Sequence, residues 1–173
     1  MIRTAHTADL DPATLAAVRA MFDDVFEGKF DDQDWEHGLG GIHALAYEDG
    51  ELVGHGSVVQ RRMLYGGRAL RTGYVEGIGV RADRRRRGHA AAVMEGLERV
   101  IRGAYELGAL AATDAGARLY ESRGWRRWEG PLYALTPDGV VRTEGESIYV
   151  LPVSGELDLT GSLTCDWREG DVW

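Results

Sequence analysis

The chain has a single cysteine, Cys165, in 173 residues, so no internal disulfide can form. That fits a reducing compartment and, with it, a cytoplasmic location. A small packed side chain is the simplest reading of that residue. Lysine is equally scarce: Lys29 stands alone, and every other fixed positive side chain is an arginine. Positive charge is in deficit overall, 20 Lys and Arg against 28 Asp and Glu, which leaves a net charge of −8. This balance argues against a general nucleic-acid binder, whose domain is ordinarily basic, and favours a cationic partner. No apolar run reaches the length of a membrane span, and "MIRTAHTADL" has no apolar h-region, so neither a spanning helix nor a targeting segment is expected. No histidine pair has metal-ligand spacing and H-E-x-x-H is missing, so no metal is expected. The common phosphate loops are missing too. The lone lysine follows Gly28 in "EGKF", which excludes G-x-x-x-x-G-K-[ST], and no G-x-G-x-x-G follows a strand.

What is present reads as one domain over residues 1–173, with no repeat, linker or low-complexity tract. "IRTAH" is a short strand. "LDPATLAAVRAMFDDVF" is a helix, with Asp11 as N-cap, Pro12 in the first position and Leu15, Val18, Phe22 and Val25 at helical spacing. "DDQDWEHGLGG" is a short acidic helix or loop. "HALAYED", "ELVGHGSVVQRRMLY" and "RALRTGYVEGIGV" form an antiparallel meander, with turns at Asp49-Gly50 and Gly66-Gly67. A helix from about Gly88 to Arg102 places Ala90, Val93, Met94, Leu97 and Ile101 on one face, with Glu95, Glu98 and Arg102 away from it. "LGALAA" is a strand, "DAGARLYESRG" a helix closed by Gly124, and "WRRWEGPLYAL" and "SIYVLPV" two more strands before a tail. The order β-α-α-β-β-β-α-β-α-β-β predicts an α/β (α+β) fold, a mixed sheet flanked by helices.

Against the acidic background stands "RADRRRRGHA" at residues 81–90, four consecutive arginines between a strand and a helix. Unsatisfied N–H groups at a helix N-terminus attract phosphates, a glycine lets the backbone come close, and arginine forks reach the outer oxygens. Further on comes "ARLYESRGW", a helix with Tyr120 that ends in a Gly-aromatic pair. The longer blocks "DWEHGLGGIHAL" (with Gln33 before it in place of Thr), "VVQRRMLYGGRALRTGYVEGIGVRAD", "RGAYELGAL" and "CDWREGDVW" closely resemble the aminoglycoside 2′-N-acetyltransferases of actinobacteria, within the GNAT acetyltransferase superfamily. The resemblance runs from about residue 4 to the end, with one gap near residues 143–147.

The resemblance implies the GNAT fold and acetyl-coenzyme A as co-substrate. Arg85, Arg86, Arg87, Gly88, His89 and Ala90 would form its pyrophosphate loop, and the backbone of Ile78, Gly79 and Val80 would pair with the pantetheine arm. It implies a cationic aminoglycoside acceptor, with Asp34, Glu76, Asp171 and the α-carboxylate of Trp173 as its ligands, and a homodimer. The residues agree with a polycationic acceptor: Asp23, Asp24, Glu27, Asp31, Asp32, Asp34 and Glu36 crowd one stretch beside Lys29 alone. A lone carboxylate such as Glu76 among Val75, Ile78 and Val80 is costly if buried unpaired, so a polar cleft is expected there. An ammonium must lose its proton before it attacks, which makes Glu76, acting through water, the candidate base, helped by the Trp173 carboxylate. Tyr120 is the candidate acid for the departing thiolate.

Three positions depart from the resembled pattern. Lys29 replaces an acidic residue, Ala111 replaces a serine, and "RTEGES" is a shortened loop whose Glu144 or Glu146 stands in for an acidic contact. These changes are expected to shift substrate range and leave the transfer chemistry alone. Other readings remain open: acetylation of another amine, a non-catalytic acetyl-coenzyme A binder, or nucleic-acid binding through Arg84–Arg87.

Overall fold

The computed structural model describes residues 1–173. Its first half contains β1 (Ile2–His6), α1 (Pro12–Val25), α2 (Asp32–His37), β2 (Ile42–Glu48), β3 (Glu51–Tyr65) and β4 (Arg68–Val80). Then follow α3 (His89–Ala104), β5 (Leu107–Ala111), α4 (Asp114–Ser122), β6 (Arg126–Arg127), β7 (Leu132–Thr136), β8 (Gly139–Thr143), β9 (Ile148–Pro152) and β10 (Leu163–Cys165). The chain divides into two compact units, Met1–Val59 with Val75–Val100, and Gln60–Tyr74 with Ile101–Trp173. No helix is long and apolar enough to cross a membrane.

In the first unit β1 and β3 flank β2, both antiparallel to it. The β2–β3 turn takes positive φ at Asp49 (51°) and Gly50 (83°), the backbone that an Asp-Gly hairpin favours. Asp11 caps α1 through its Oδ1, which accepts the Thr14 N–H at 2.8 Å and satisfies one of the helix's unpaired donors. The apolar spacing of α1 then buries Val18, Met21 and Phe22 with Leu10 and Leu45. On α3, Val93, Met94 and Leu97 are wholly buried, at roughly 1.5–3 kcal/mol each. One expectation fails on this helix: Glu98 is only 7% exposed. It follows Leu97 directly and lies one turn after Met94, so it sits on the edge of the apolar face and not opposite it.

In the second unit β4 pairs in parallel with β5 through Thr72, Gly73 and Tyr74, the arrangement expected when a helix connects two neighbouring strands. β5 pairs antiparallel with β9, and β9 with β6. On the other side β10 lies between β3 (antiparallel) and β7 (parallel), and β8 closes the edge against β7. The sheet is therefore mixed, as expected, but β6, β8 and β10 are strands that the sequence pattern did not separate. α4 ends in paired Trp125 N–H to Tyr120 O and Gly124 N–H to Glu121 O bonds, with Gly124 at φ +87°.

Candidate active site

Glu76 lies near the end of β4, just before Gly77, whose φ is +54°. A Cβ at Gly77 would come within 2.9 Å of the Phe22 ring, so conformation and space both require glycine there. Asp34, Trp35, His43, His55, Ser57 and Glu76 share the wall of one small pocket in the first unit. Asp34 serves α2 as well: its Oδ2 accepts the Asp31 N–H at 3.1 Å, while Asp31 Oδ1 accepts the Asp34 N–H at 2.8 Å. This reciprocal cap fixes the carboxylate's direction from local sequence alone. Lys29 is exposed in the loop between α1 and α2.

Two residues of this pocket were missed by sequence reasoning. His43 and His55, only 1% and 2% exposed, are joined Nδ1 to Nε2 at 2.8 Å. His43 Nε2 meets Thr7 Oγ1 at 2.7 Å, and His55 Nδ1 meets the Gly77 carbonyl at 3.1 Å. Burial, with the nearby His6 charge adding to it, brings His43 down to about 4. Burial again, with His43 adding, brings His55 down to about 3. Both rings are neutral at pH 7. The histidines face inward from neighbouring strands, and only a strand register reveals that they meet.

The arginine run divides by partner. Arg84 Nη1 donates to Glu48 Oε2 at 3.0 Å and Arg87 Nη1 to the same oxygen at 3.2 Å. His89 Nε2 stands 3.7 Å from Glu48 Oε1. Burial would raise the Glu48 carboxyl, but Arg87, Arg84 and His89 outweigh it and hold Glu48 below the ordinary value. Arg81 forks onto Asp83 and also reaches Glu51. Arg85 and Arg86 are exposed and have no carboxylate of this kind; Arg85 Nε reaches only the Val80 carbonyl, at 3.4 Å. Arg86 (φ +61°) and Gly88 (φ +86°) turn the chain into α3, with His89 and Ala90 in its first turn. Ile78, Gly79 and Val80 close β4 upstream of this loop.

Tyr120, on α4, belongs to the second unit. Its ring lies over Gly116, where a Cβ would approach within 2.8 Å, and neighbours Trp125 and Tyr149. Burial raises its hydroxyl to about 12, so it is a phenol and not a phenolate at neutral pH. The tail is docked. Trp173 is 2% exposed and its indole N–H donates to Thr143 Oγ1 at 2.7 Å. Arg168 Nη2 donates to a terminal carboxylate oxygen of Trp173 at 2.8 Å, and Asp171 Oδ1 accepts the Trp173 N–H at 3.0 Å. Glu146 is half-buried; burial first and the Asp171 charge second raise its carboxyl, whereas Glu144 is exposed beside Arg142. Ala111 is exposed at the end of β5. Burial pushes the Cys165 thiol up to about 11, which removes it as a neutral-pH nucleophile. No group of three or more His, Cys, Asp and Glu side chains is arranged to hold a metal.

Comparison with known proteins adds the context that geometry lacks. Residues 2–128 match the family model described as "Acetyltransferase (GNAT) domain". The chain is 52% identical over 177 residues to an aminoglycoside 2′-N-acetyltransferase of Mycolicibacterium fortuitum, covering 99% of this chain and 91% of that one. Its fold is similar to a GNAT family acetyltransferase from Brucella melitensis solved with acetyl-CoA, with a TM-score of 0.62, 14% identity and 94% of each chain covered. It is similar also to Eis1 from Mycobacterium abscessus, with a TM-score of 0.59 and 22% identity over 72% of this chain. The chain spans only 31% of the Eis1 length.

Proposed function

The chain belongs to the aminoglycoside 2′-N-acetyltransferases of the GNAT superfamily, and on that premise we propose that it moves an acetyl group from acetyl-coenzyme A to the 2′-amine of an aminoglycoside, inactivating the antibiotic. The observation that carries this is the 52% identity sustained over 99% of the chain. The family match spans residues of both units, in keeping with one catalytic domain over residues 1–173.

The residues fit a phosphate-bearing thioester co-substrate. Arg85 and Arg86 are exposed beside the N-terminus of α3, where N–H groups and the helix dipole favour an anion. Arg87, Gly88, His89 and Ala90 complete that loop, and the backbone of Ile78, Gly79 and Val80 offers strand-like pairing to an extended chain. When bound, the co-substrate supplies the acetyl group and a thiolate leaving group. Glu76 takes the ammonium proton through water, freeing the lone pair for attack. Tyr120, kept as a phenol by burial, donates a hydrogen bond to the departing sulfur. Asp34, Glu76 and Asp171 act as anionic ligands of the acceptor, with Glu146 preferred to Glu144 because it lies close enough to Asp171 to feel its charge. The Trp173 carboxylate is ion-paired with Arg168, so its role is that of a held anion and not of a base.

Carboxylates engage Arg81, Arg84 and Arg87, which leaves Arg85 and Arg86 as the free cations of the run; with a net charge of −8 that supports a small phosphate ligand over nucleic acid. Cytoplasmic location accords with the single buried thiol. A homodimer completes the proposal, checked by light scattering. The deciding experiment is thiol release from acetyl-coenzyme A with aminoglycosides that carry or lack a 2′-amine, on wild type and Tyr120→Phe. Turnover confined to 2′-amino compounds, and reduced by about 100-fold or more in the variant, is expected. Cofactor binding with no turnover on any of them would sink the proposal.

A further inference from the structure

Four hydrogen bonds form a directed chain that ends on the residue after Glu76. A carbonyl oxygen only accepts, so the 3.1 Å contact with Gly77 O requires the proton of His55 on Nδ1. A neutral His55 then has a bare Nε2, so His43 must donate from its Nδ1 across 2.8 Å. His43 Nε2 is bare in turn and accepts the Thr7 hydroxyl proton at 2.7 Å, a shorter contact than the 3.3 Å from Thr7 Oγ1 to Gly41 O. Thr7 Oγ1 itself accepts the Gly40 N–H at 2.9 Å. Every donor has one acceptor, and the polarity runs from Gly40 to Gly77.

Resting on the reading of Glu76 as the base, we infer that Thr7, His43 and His55 are positioning residues: they pull on the Gly77 carbonyl and so fix the left-handed turn that aims Glu76. Packing alone would be served better by two aliphatic side chains, which carry no buried polar groups to satisfy. A proton relay is excluded by the chain's end, because a peptide carbonyl passes no proton onward. A second support comes from the same face of β3: Ser57, two residues after His55, points its hydroxyl at the Glu76 carbonyl at 3.5 Å. Side chains of β3 thus address the Glu76 and Gly77 carbonyl oxygens, on either side of the point where Gly77 breaks regular backbone geometry.

The test has arms with and without substrate. Side-chain 15N spectra at pH 7 should show His43 and His55 as neutral Nδ1–H tautomers; an Nε2–H form at either overturns the chain. His55→Asn keeps a donor near the Nδ1 position, and His55→Leu keeps none. The Glu76 carboxyl titration, followed by 13C, should move in His55→Leu and return towards wild type in His55→Asn. With a 2′-amino aminoglycoside, His55→Leu should lose about 100-fold in kcat at little change in KM for acetyl-coenzyme A, with His55→Asn recovering most of it. Equal loss in the two variants, or none in either, overturns the inference. If His55→Leu does not fold, Thr7→Val replaces it: both rings should stay Nδ1–H because His43 Nδ1 still faces His55 Nε2. In that variant kcat and the Glu76 titration should move in the same direction as expected for His55→Leu but by less, and no movement in either overturns the inference. Wild type without turnover would refute the functional reading separately, while the two spectroscopic arms still decide this one.

Discussion

Arg61 directs three guanidinium N–H groups at one short segment. Its Nε donates to Asp166 Oδ1 at 2.8 Å, and its Nη2 to the carbonyls of Asp166 and Val172 at 3.0 and 2.7 Å. The side chain is 4% exposed and lies over the Tyr74 ring at 4.7 Å, with Arg168 on the same ring at 5.3 Å. Burial opposes the Arg61 charge, but Asp166 and the Tyr74 hydroxyl outweigh it and hold the guanidinium ionised. Replacing it by methionine keeps much of the volume but removes the cation paired with Asp166, leaving Asp166 with the Arg62 N–H and the Val172 carbonyl with the Cys165 thiol. Breaking a buried pair costs about 3–5 kcal/mol, and the lower end applies because the Asp166 side chain is 33% exposed. Arg61→Met should therefore lose about 3 kcal/mol in urea unfolding. It should also raise KM for the aminoglycoside more than KM for acetyl-coenzyme A, since the tail carries Asp171 and Trp173. Unchanged stability would mean that the tail is held without Arg61, by Trp173, the Arg62–Asp166 bonds and Arg168 on the Tyr74 ring.

At the level of elements, local chemistry was legible and long-range pairing was not. β3 and β4 could be bounded because Asp49-Gly50 and Gly66-Gly67 mark their turns, and all four of these residues take positive φ. The N-cap of α1 and the close of α4 follow from Asp11 and Gly124 in the same way. β8 escaped notice because Val140 and Val141 are both exposed, at 61% and 49%, so the strand has no buried alternation to read. β10 is three residues long and exists through partners far away in the chain, β3 and β7. The candidate site divides likewise: Glu76, Asp34 and Tyr120 stand out by type and motif, but the His43–His55 contact depends on which strands are neighbours. The arginine run shows this most sharply, since charge was legible and its neutralisation by Glu48, 36 and 39 residues upstream of Arg84 and Arg87, was not. A division of labour follows. Arg85→Ala or Arg86→Ala should weaken acetyl-coenzyme A by about 10-fold and flatten its salt dependence, as loss of a charged hydrogen bond of about 1.5 kcal/mol would do. Arg84→Ala should act chiefly on stability. Titration calorimetry at two salt concentrations checks this, and equal affinity losses at all four arginines would refute the division.

Over the whole molecule, the buried histidines couple stability to pH. A histidine whose folded pKa is depressed takes up its proton more readily in the unfolded chain, so acid favours unfolding once pH drops below the unfolded value of about 6.5. The loss continues until the folded groups titrate, at about 4 for His43 and about 3 for His55. Each proton contributes a slope of about 1.4 kcal/mol per pH unit, so two give at most about 2.7. The carboxylates held below their ordinary values, among them Asp11, Glu48 and Asp83, have the opposite form: they stabilise above about pH 4, and that contribution is lost only below it. The net charge of −8 at pH 7 becomes smaller on acidification, which relieves diffuse repulsion. That relief is spread over a solvated surface and screened, whereas each imidazole must be charged inside the fold, so the histidines prevail between pH 6.5 and about 4.5. Urea unfolding should therefore show stability roughly level from pH 8 to 7 and falling by about 2 kcal/mol or more between pH 6.5 and 5. A flat profile across that interval would mean that His43 and His55 accept protons in place, and the neutral chain beneath Gly77 would fall with it.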